Sequence, residues 1–475
     1  MWAEHFWQFQ PSLFMSTAIV WFRNDLRVHD NEVLTRAVHE HEFILPVFIF
    51  DPLQYMPTRY GWKKSSAARA AFLQECVVEL RSRLQSIGGN LLVAHDDPEN
   101  VLPELCMQYG ATTIYAQKEI AYEEVQLETR IAENVRVPVY YIWGQTLYHL
   151  DDAPFGAEDT PYPFKEFRKQ LTEGAEVRKV IDTPVSLKTP PVTDWGDVPN
   201  LHMLGYSEEE TGQIHGKAFS GGETAALERL EYYTFQTEQL TRYKWTRNQS
   251  LGKDYSSKFS PWMALGALSA RMIYWEVKRY EQEVNKNIST WWLIFEVIWR
   301  DFFKFMGLKY GKSMFLPGGF KSKDKSWSHD SSLFSRWQHG NTGIPFIDAH
   351  MRELNASGYM SNRGRVNCAC FLARNYGIDW TWGAAWFEHK LLDYDVCSNW
   401  LNWNMQAIHT RYTNPVWQGL KYDPKGEYVR YWLPELASVP DKNVHAPWLA
   451  DIKLDYPQPV EVYKSWDWVL DEIKM

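Results

Sequence analysis

The run Asp393-Tyr394-Asp395-Val396-Cys397-Ser398-Asn399-Trp400-Leu401-Asn402-Trp403 sets two carboxylates two residues apart, an amide four residues beyond the second, and then tryptophans, on a segment that also carries Val396, Cys397 and Leu401. Polar groups in so apolar a setting must find partners. Ser361-Asn362-Arg363-Gly364-Arg365, just ahead of a helical-looking run over 366–374, supplies a candidate cation. Two readings stay open on these residues: a structural Arg–Asp tie between helices, or a charged site built to hold a polar ligand.

Three further clusters share this ambiguity. Asp254-Tyr255-Ser256-Ser257-Lys258-Phe259-Ser260-Pro261-Trp262 leads into a helix-like stretch over 263–269. Small hydroxyls and a lysine at a helix N-terminus suit a phosphate, and equally an ordinary serine cap. In Phe295-Glu296-Val297-Ile298-Trp299-Arg300, the carboxylate shares a helical face with Trp299 and Arg300, as a base-contacting site or as an i,i+4 Glu–Arg pair. Trp327, Trp380 and Trp403 are either core aromatics or stepping stones for electrons. Lys304, Lys309, Lys312, Lys321, Lys323 and Lys325, interleaved with Phe303, Tyr310 and Phe320, form a basic strip that is either a solvated face or a seat for a phosphate backbone.

The elements that must position these groups fall into two domains, as 475 residues demand. Apolar runs over 17–22, 43–50, 91–94, 113–116 and 137–142 read as strands. Helix-period segments lie between them, most clearly over 65–87 and 123–132. That alternation predicts an α/β domain over 17–145 with a doubly wound, parallel, Rossmann-like sheet. The first strand is followed by Arg23-Asn24-Asp25-Leu26-Arg27-Val28-His29-Asp30-Asn31, with no Gly-x-Gly-x-x-Gly, so the usual NAD fingerprint is absent. Residues 146–220, rich in Pro, Asp, Thr and Gly, read as a connection wrapping over the surface. Helical periods over 224–243, 269–282 and 291–306 predict an all-helical domain over 221–440, followed by a short tail over 441–475.

The net charge of −9 confines any nucleic-acid site to a local patch. An odd number of cysteines, five, gives neither a disulfide framework nor zinc-ligand spacing, and points to an intracellular, reducing compartment. No apolar run approaches a membrane span. The N-terminal extension, 1–16, lacks a basic n-region and a cleavage site, and Met15 is a candidate alternative start.

In order and content these motifs resemble the photolyase and cryptochrome family, DASH-type cryptochromes in particular. The likeness runs from Val20-Trp21-Phe22-Arg23-Asn24-Asp25-Leu26-Arg27 to Glu427-Tyr428-Val429, through Trp143-Gly144, Tyr148-His149, Pro163-Phe164-Lys165-Glu166-Phe167-Arg168, Gly358-Tyr359-Met360-Ser361-Asn362-Arg363-Gly364-Arg365 and Asp393–Trp400. It implies a U-shaped FAD in the helical domain. Tyr243 and Ser256, Ser257, Lys258, Phe259 and Ser260 would hold its phosphates, with Arg300 nearby, and Asn362, Arg365, Asp393, Asp395 and Asn399 would surround the rest. Asn399 would stand opposite the flavin N5, and the Arg365–Asp393 pair would stabilise charge on a reduced ring. Trp403, Trp380 and Trp327 match the photoreduction chain as its proximal, middle and surface members.

The implied activity is light-driven splitting of cyclobutane pyrimidine dimers, with the lesion flipped from the stack. Glu296 would hydrogen-bond the flipped bases and Trp299 would pack on them. Six-four chemistry is disfavoured, because Ser361-Asn362-Arg363 occupies the place of that type's paired histidines. The sequence departs from the DASH pattern at Val366, where Gln is usual, at Met405, where Tyr is usual, and in a shortened loop over 406–413. Both substituted positions would line the lesion pocket. Glu119 matches the contact to a 5,10-methenyltetrahydrofolate antenna. The expected partner of this monomer is DNA, preferably single-stranded. A blue-light photoreceptor reading flavin redox state is the alternative, favoured by Val366 and Met405 and disfavoured by the short tail. A flavin redox enzyme outside DNA repair is a weaker third, opposed by the basic strip and by Glu296–Trp299.

Overall fold

Strand β1 (Thr17–Phe22) is buried over its whole length, which is why it reads as an unbroken apolar run and not as an alternation. It forms the centre of a five-stranded parallel sheet with β2 (Phe43–Ile49), β3 (Leu92–Ala94), β4 (Ala111–Gln117) and β5 (Val139–Ile142), in the order β3-β2-β1-β4-β5. Thr17 pairs with Phe43 on one side, and Ala18 with Thr113 on the other. Helices α1 (Glu32–Glu40), α2 (Ala67–Ser86), α3 (Pro98–Tyr109) and α4 (Tyr122–Asn134) connect the strands, giving the predicted doubly wound sheet. The computed structural model describes residues 16–214 and 218–474. The expected N-terminal extension, Met15 included, therefore lies outside the described residues except for Ser16.

The order reverses at β1, so the carboxyl ends of β1 and β4 diverge and leave a crevice. The loop after β1 is occupied by protein. Glu223, fully buried, accepts hydrogen bonds from the backbone N–H groups of Val28 (2.8 Å) and His29 (3.3 Å) and pairs with His29 Nδ1 at 2.7 Å. Arg271 meets Asp30 at 2.8 Å, and Arg27 Nη1 donates to Gly266 O at 2.8 Å. The helical domain thus docks on the segment where a dinucleotide fingerprint would stand.

The connection over 146–220 contains α5 (Phe164–Gly174), a 3-10 turn over Leu150–Asp152 and a short helix over Glu208–Gly212, and its carbonyls at Lys188 and Trp195 accept from Ile44 and Val93. The second domain is helical as expected. Its spine is α6 (Ile288–Tyr310), capped by Asn287, whose side chain accepts from Ser289 and Thr290 N–H. Around it lie α7 (Pro345–Ser357), α8 (Asn362–Cys370), α9 (Trp380–Lys390) and α10 (Val396–Asn404). Gly307 permits the close contact of α6 with α10: a Cβ there would lie 2.6 Å from Cys397 Sγ. The stretch over 263–269 is not a continuous helix. A five-residue helix, Ser260–Ala264, ends before Gly266, whose φ of +68° breaks the period, and Ser269 caps the next helix, Ala270–Glu283. The region after 440 is folded against the helical core, with Trp466, Val469, Leu470 and Ile473 buried. Among the described residues no helix is long and apolar enough to cross a membrane, and all five cysteines are free.

Gly266 lies where the two domains approach closely. A Cβ there would lie 2.0 Å from Asn24 O, on a backbone that disfavours side chains. Gly266→Ala should lower unfolding stability by about 2–4 kcal/mol, whereas Gly212→Ala, with nothing within 4 Å of the added carbon, should not. Thermal denaturation of both variants checks this.

Candidate flavin and lesion site

The two carboxylates of Asp393-Tyr394-Asp395 are served by different cations. Asp393 receives Arg365 Nη2 at 2.9 and 2.7 Å, joining α8 to the start of α10. Asp395 caps α10, accepting from Ser398 N at 2.8 Å, and meets Lys304 at 2.6 Å and Arg300 at 3.8 Å, both from α6. Burial alone would raise the Asp395 pKa, but Lys304 and Arg300 outweigh it and hold the carboxyl well below the usual range. Lys304 is therefore a buried partner and not a member of a surface strip. Lys309 is half-buried, donating to Thr160 O at 2.8 Å, and only Lys312, Lys321, Lys323 and Lys325 of the expected strip are exposed. The cap places Asn399 one turn into α10, where its Nδ2 donates to Ala384 O at 3.0 Å and so fixes the amide's orientation.

Around Arg365 stands a ring of tyrosines. Tyr359 is buried, with the Arg365 guanidinium 5.6 Å and the Lys258 ammonium 5.2 Å from its ring centre. Lys258 has a left-handed backbone (φ +54°), which turns its ammonium back over Tyr255 at 4.6 Å. Ser257, Phe259 and Tyr243 are buried alongside, while Ser256 O accepts from Arg229. Burial pushes the Lys258 pKa down to about 8 and that of Glu353, across the cluster, up to about 7. Asn362, at the exposed start of α8, makes no side-chain hydrogen bond that ties it to this group among the described residues.

Glu296 does not pair with Arg300. It accepts from Arg247 at 2.5 Å and from Trp292 Nε1 at 3.1 Å, while Arg300 turns to the carbonyls of Gln145 and Met263. Burial raises the Glu296 pKa against the pull of Arg247 and Trp292. Trp299, half-buried, stacks one face on Phe164 at 3.6 Å. Val366 and Met405 are also half-buried. Beside Met405, the fully buried Asn404 has neither amide atom paired.

Of the three tryptophans, two lie in the core and one nearer the surface. Trp403 is 2% exposed, edge-on to Phe387 at 5.0 Å, and so close to Gly383 that a Cβ there would lie 2.2 Å from its ring. Trp380, one turn before Gly383 on α9, is fully buried. Its indole N–H and that of half-buried Trp327 converge on a single acceptor, Pro317 O, at 2.9 and 3.0 Å.

Glu119 lies at the switch point, 4% exposed and not a surface charge. It accepts from Asn24 Nδ2 at 3.1 Å and Gln145 Nε2 at 2.8 Å. It lines a cavity of about 1130 Å3 bounded by Trp21, Asn24 and Tyr122 of the first domain and by Arg300, Lys304 and Asp395 of the second.

This geometry has known counterparts. Residues 18–188 match the DNA photolyase family model, and residues 292–468 that of the FAD binding domain of DNA photolyase. Cryptochrome DASH of Gloeobacter violaceus is 44% identical over 463 residues, spanning 94% of this chain and 93% of the relative. The chain belongs to the photolyase and cryptochrome family. A Synechocystis cryptochrome structure superposes on this DASH-type chain with a TM-score of 0.90 at 43% identity, over 97% of this chain and 98% of the other. A class III photolyase from Agrobacterium tumefaciens does so with 0.81 at 26%, over 98% of each.

FAD is the cofactor of such a domain, and the DASH-type residues here fit its chemistry. Tyr255 Oη is a buried hydroxyl with no hydrogen-bond partner, and Lys258 makes no ion pair among the described residues, its ammonium donating only to Gly252 O at 2.9 Å. A donor and a desolvated cation side by side suit a diphosphate. Tyr255, Glu353 and Tyr359 carried no role in the sequence reading. Their signal was position: Tyr255 lies in the serine cluster, and Glu353 and Tyr359 flank Gly358, whose left-handed backbone ends α7. Removing one partner of the Arg365–Asp393 pair strands the other, so Asp393→Ala should destabilise the apoprotein by about 3–5 kcal/mol. The Asp393→Ala/Arg365→Leu double variant should recover part of that loss in urea unfolding.

Proposed function

We propose that this protein splits cyclobutane pyrimidine dimers in light, acting on single-stranded or locally opened DNA, where flipping a base costs least. The observation that carries the reading is Glu296 beside Trp299. The carboxyl is held through one oxygen by Arg247 and Trp292, which leaves its other oxygen for a hydrogen bond to a flipped pyrimidine. Trp299, backed by Phe164, offers its remaining face for stacking. When bound, reduced FAD supplies the excited-state electron that opens the dimer and is afterwards returned.

The chain's own residues divide the remaining work. Tyr243, Ser256, Ser257, Lys258, Phe259 and Ser260 would hold the phosphates of the cofactor, and Arg365, Asp393 and Asn399 would hold its remaining part. Asn399, its amide held by Ala384 O, presents its carbonyl oxygen as an acceptor, and the Arg365–Asp393 pair supplies a fixed charge without a mobile counter-ion. Asn362 completes this side from the rim. Arg300 and Asp395 act from the cavity side, positioning α6 against α10. Trp327, Trp380 and Trp403 would carry electrons from the surface toward the bound flavin. Glu119, with Asn24 and Gln145, holds a methenyltetrahydrofolate pterin at the switch point.

A photoreceptor with little repair is the second reading. It is favoured by half-buried Val366 and Met405, which make the base pocket more apolar, and by the unpaired Asn404 amide beside them.

The deciding experiment exposes a thymine-dimer oligonucleotide, single- and double-stranded, to photoreduced protein under blue light with a dark control. Light-dependent splitting on the single strand supports repair; none, from a protein that binds and photoreduces FAD, supports the photoreceptor. Glu296→Ala should slow splitting on the order of 10- to 100-fold, and an unchanged rate removes the assigned role. Trp403→Phe should slow photoreduction while the bound-flavin absorbance stays intact; undiminished photoreduction refutes the relay.

A further inference from the structure

Beyond the flavin and lesion groups, the shortened loop over 406–413 builds a second cavity. It measures about 520 Å3 and is lined by Lys323, Asp324, Lys325, Arg374, Ile408 and Tyr412, with Ala407 at its base. Three cations face one acid, and neither lysine nor Arg374 makes an ion pair among the described residues. The arginine is held rigidly from behind, its Nε donating to Gln406 O at 2.9 Å and one Nη to Thr410 O at 2.6 Å. Lys325 rests its ammonium over the Trp327 ring at 3.9 Å, which keeps it at the rim. His409, next to Ile408 and tilted against Phe320 at 4.7 Å, has a buried Nε2 without a partner. Burial, with Lys323, Lys321 and Arg374 nearby, lowers its pKa to about 4, so it adds no cation of its own at neutral pH.

A cluster of unpaired cations around a rigid guanidinium suits a phosphate oxyanion. The rim indicates what carries that phosphate. Tyr412 is 38% exposed, and its hydroxyl is fixed by Trp466 Nε1 at 2.6 Å and by Asn375 at 3.0 Å, so its ring is an immobile aromatic face. Aromatic faces beside phosphate-binding cations are how unpaired strands are held.

We infer that this cavity seats one nucleotide of an unpaired strand, its phosphodiester on Lys323, Lys325 and Arg374 and its base on Tyr412. The inference rests on the DNA reading for the source of the phosphate, but the anion site itself does not depend on repair.

The test uses the FAD-loaded protein at low ionic strength. Calorimetric titration with inorganic phosphate should show binding that falls at least tenfold in Lys323→Gln/Lys325→Gln and is unchanged in Lys312→Gln, an exposed lysine outside the cavity lining. An undamaged oligothymidylate, followed by anisotropy, should bind the double variant more weakly, with a salt slope reduced by roughly 0.7 per lost contact. Tyr412→Leu should weaken the oligonucleotide and leave inorganic phosphate unaffected. Phosphate binding lost in the lysine variant with oligonucleotide affinity unaltered would assign the site to a free anion and overturn the strand. Absence of phosphate binding, or equal binding by wild type and double variant, overturns the site altogether. Failure of the repair reading would appear separately, as no dimer splitting by a protein that still binds phosphate here.

Discussion

Two buried carboxylates, Asp393 and Asp395 at the head of α10, meet buried Lys304 on α6 and partly buried Arg365 on α8. No one of them is tolerable there alone, because removing an ion from water costs more than any single contact returns. Together they form two pairs, and the pairs dictate geometry. Since Asp395 must both cap α10 and reach Lys304, the helix can start at only one place against α6. Asn399 and Trp403 are then carried to fixed positions by the helix's own pitch.

Helix α6 is the shared member of several sites. Its Trp292, Glu296 and Trp299 face one group of partners, while Arg300 and Lys304, further along, line the cavity at the switch point. Asp301 sits beside them, fully buried, and accepts from the backbone N–H groups of Leu147 and Tyr148 at 2.9 Å. One rigid rod thus references the connection, the cavity and the Glu296 carboxyl to each other. Precision of this kind is more readily held on a helix than on loops.

The sheet was legible because strands covered on both faces read as continuous apolar runs, and β1 to β5 lie where those runs are. An Arg–Asp tie between the two segments was legible from residue types, and the resemblance singled out Arg365 and Asp393. Lys304 was not, because a lysine's burial depends on a partner far along the chain, and its sequence neighbourhood of lysines and aromatics reads equally as surface. The same reason hid the partner of Glu296: Arg300 lies at helical spacing, but Arg247 arrives from another segment and is better placed. The apparent helix over 263–269 had the composition of one, and only the close approach of Gly266 to Asn24 explains the break. The cavity beside Arg374 had no signal beyond a shortened loop and scattered lysines.

Pro317 donates nothing and contributes only a carbonyl oxygen, yet Trp327 and Trp380 both hang from it. An oxygen of this kind has two lone pairs, and both are used. The register between the two indoles is therefore written in the main chain and not in any side chain. Drift in the side chain at 317 leaves the acceptor in place, so this step of the tryptophan series is insulated from substitution in a way that the Gly383–Trp403 contact, which any added carbon disturbs, is not.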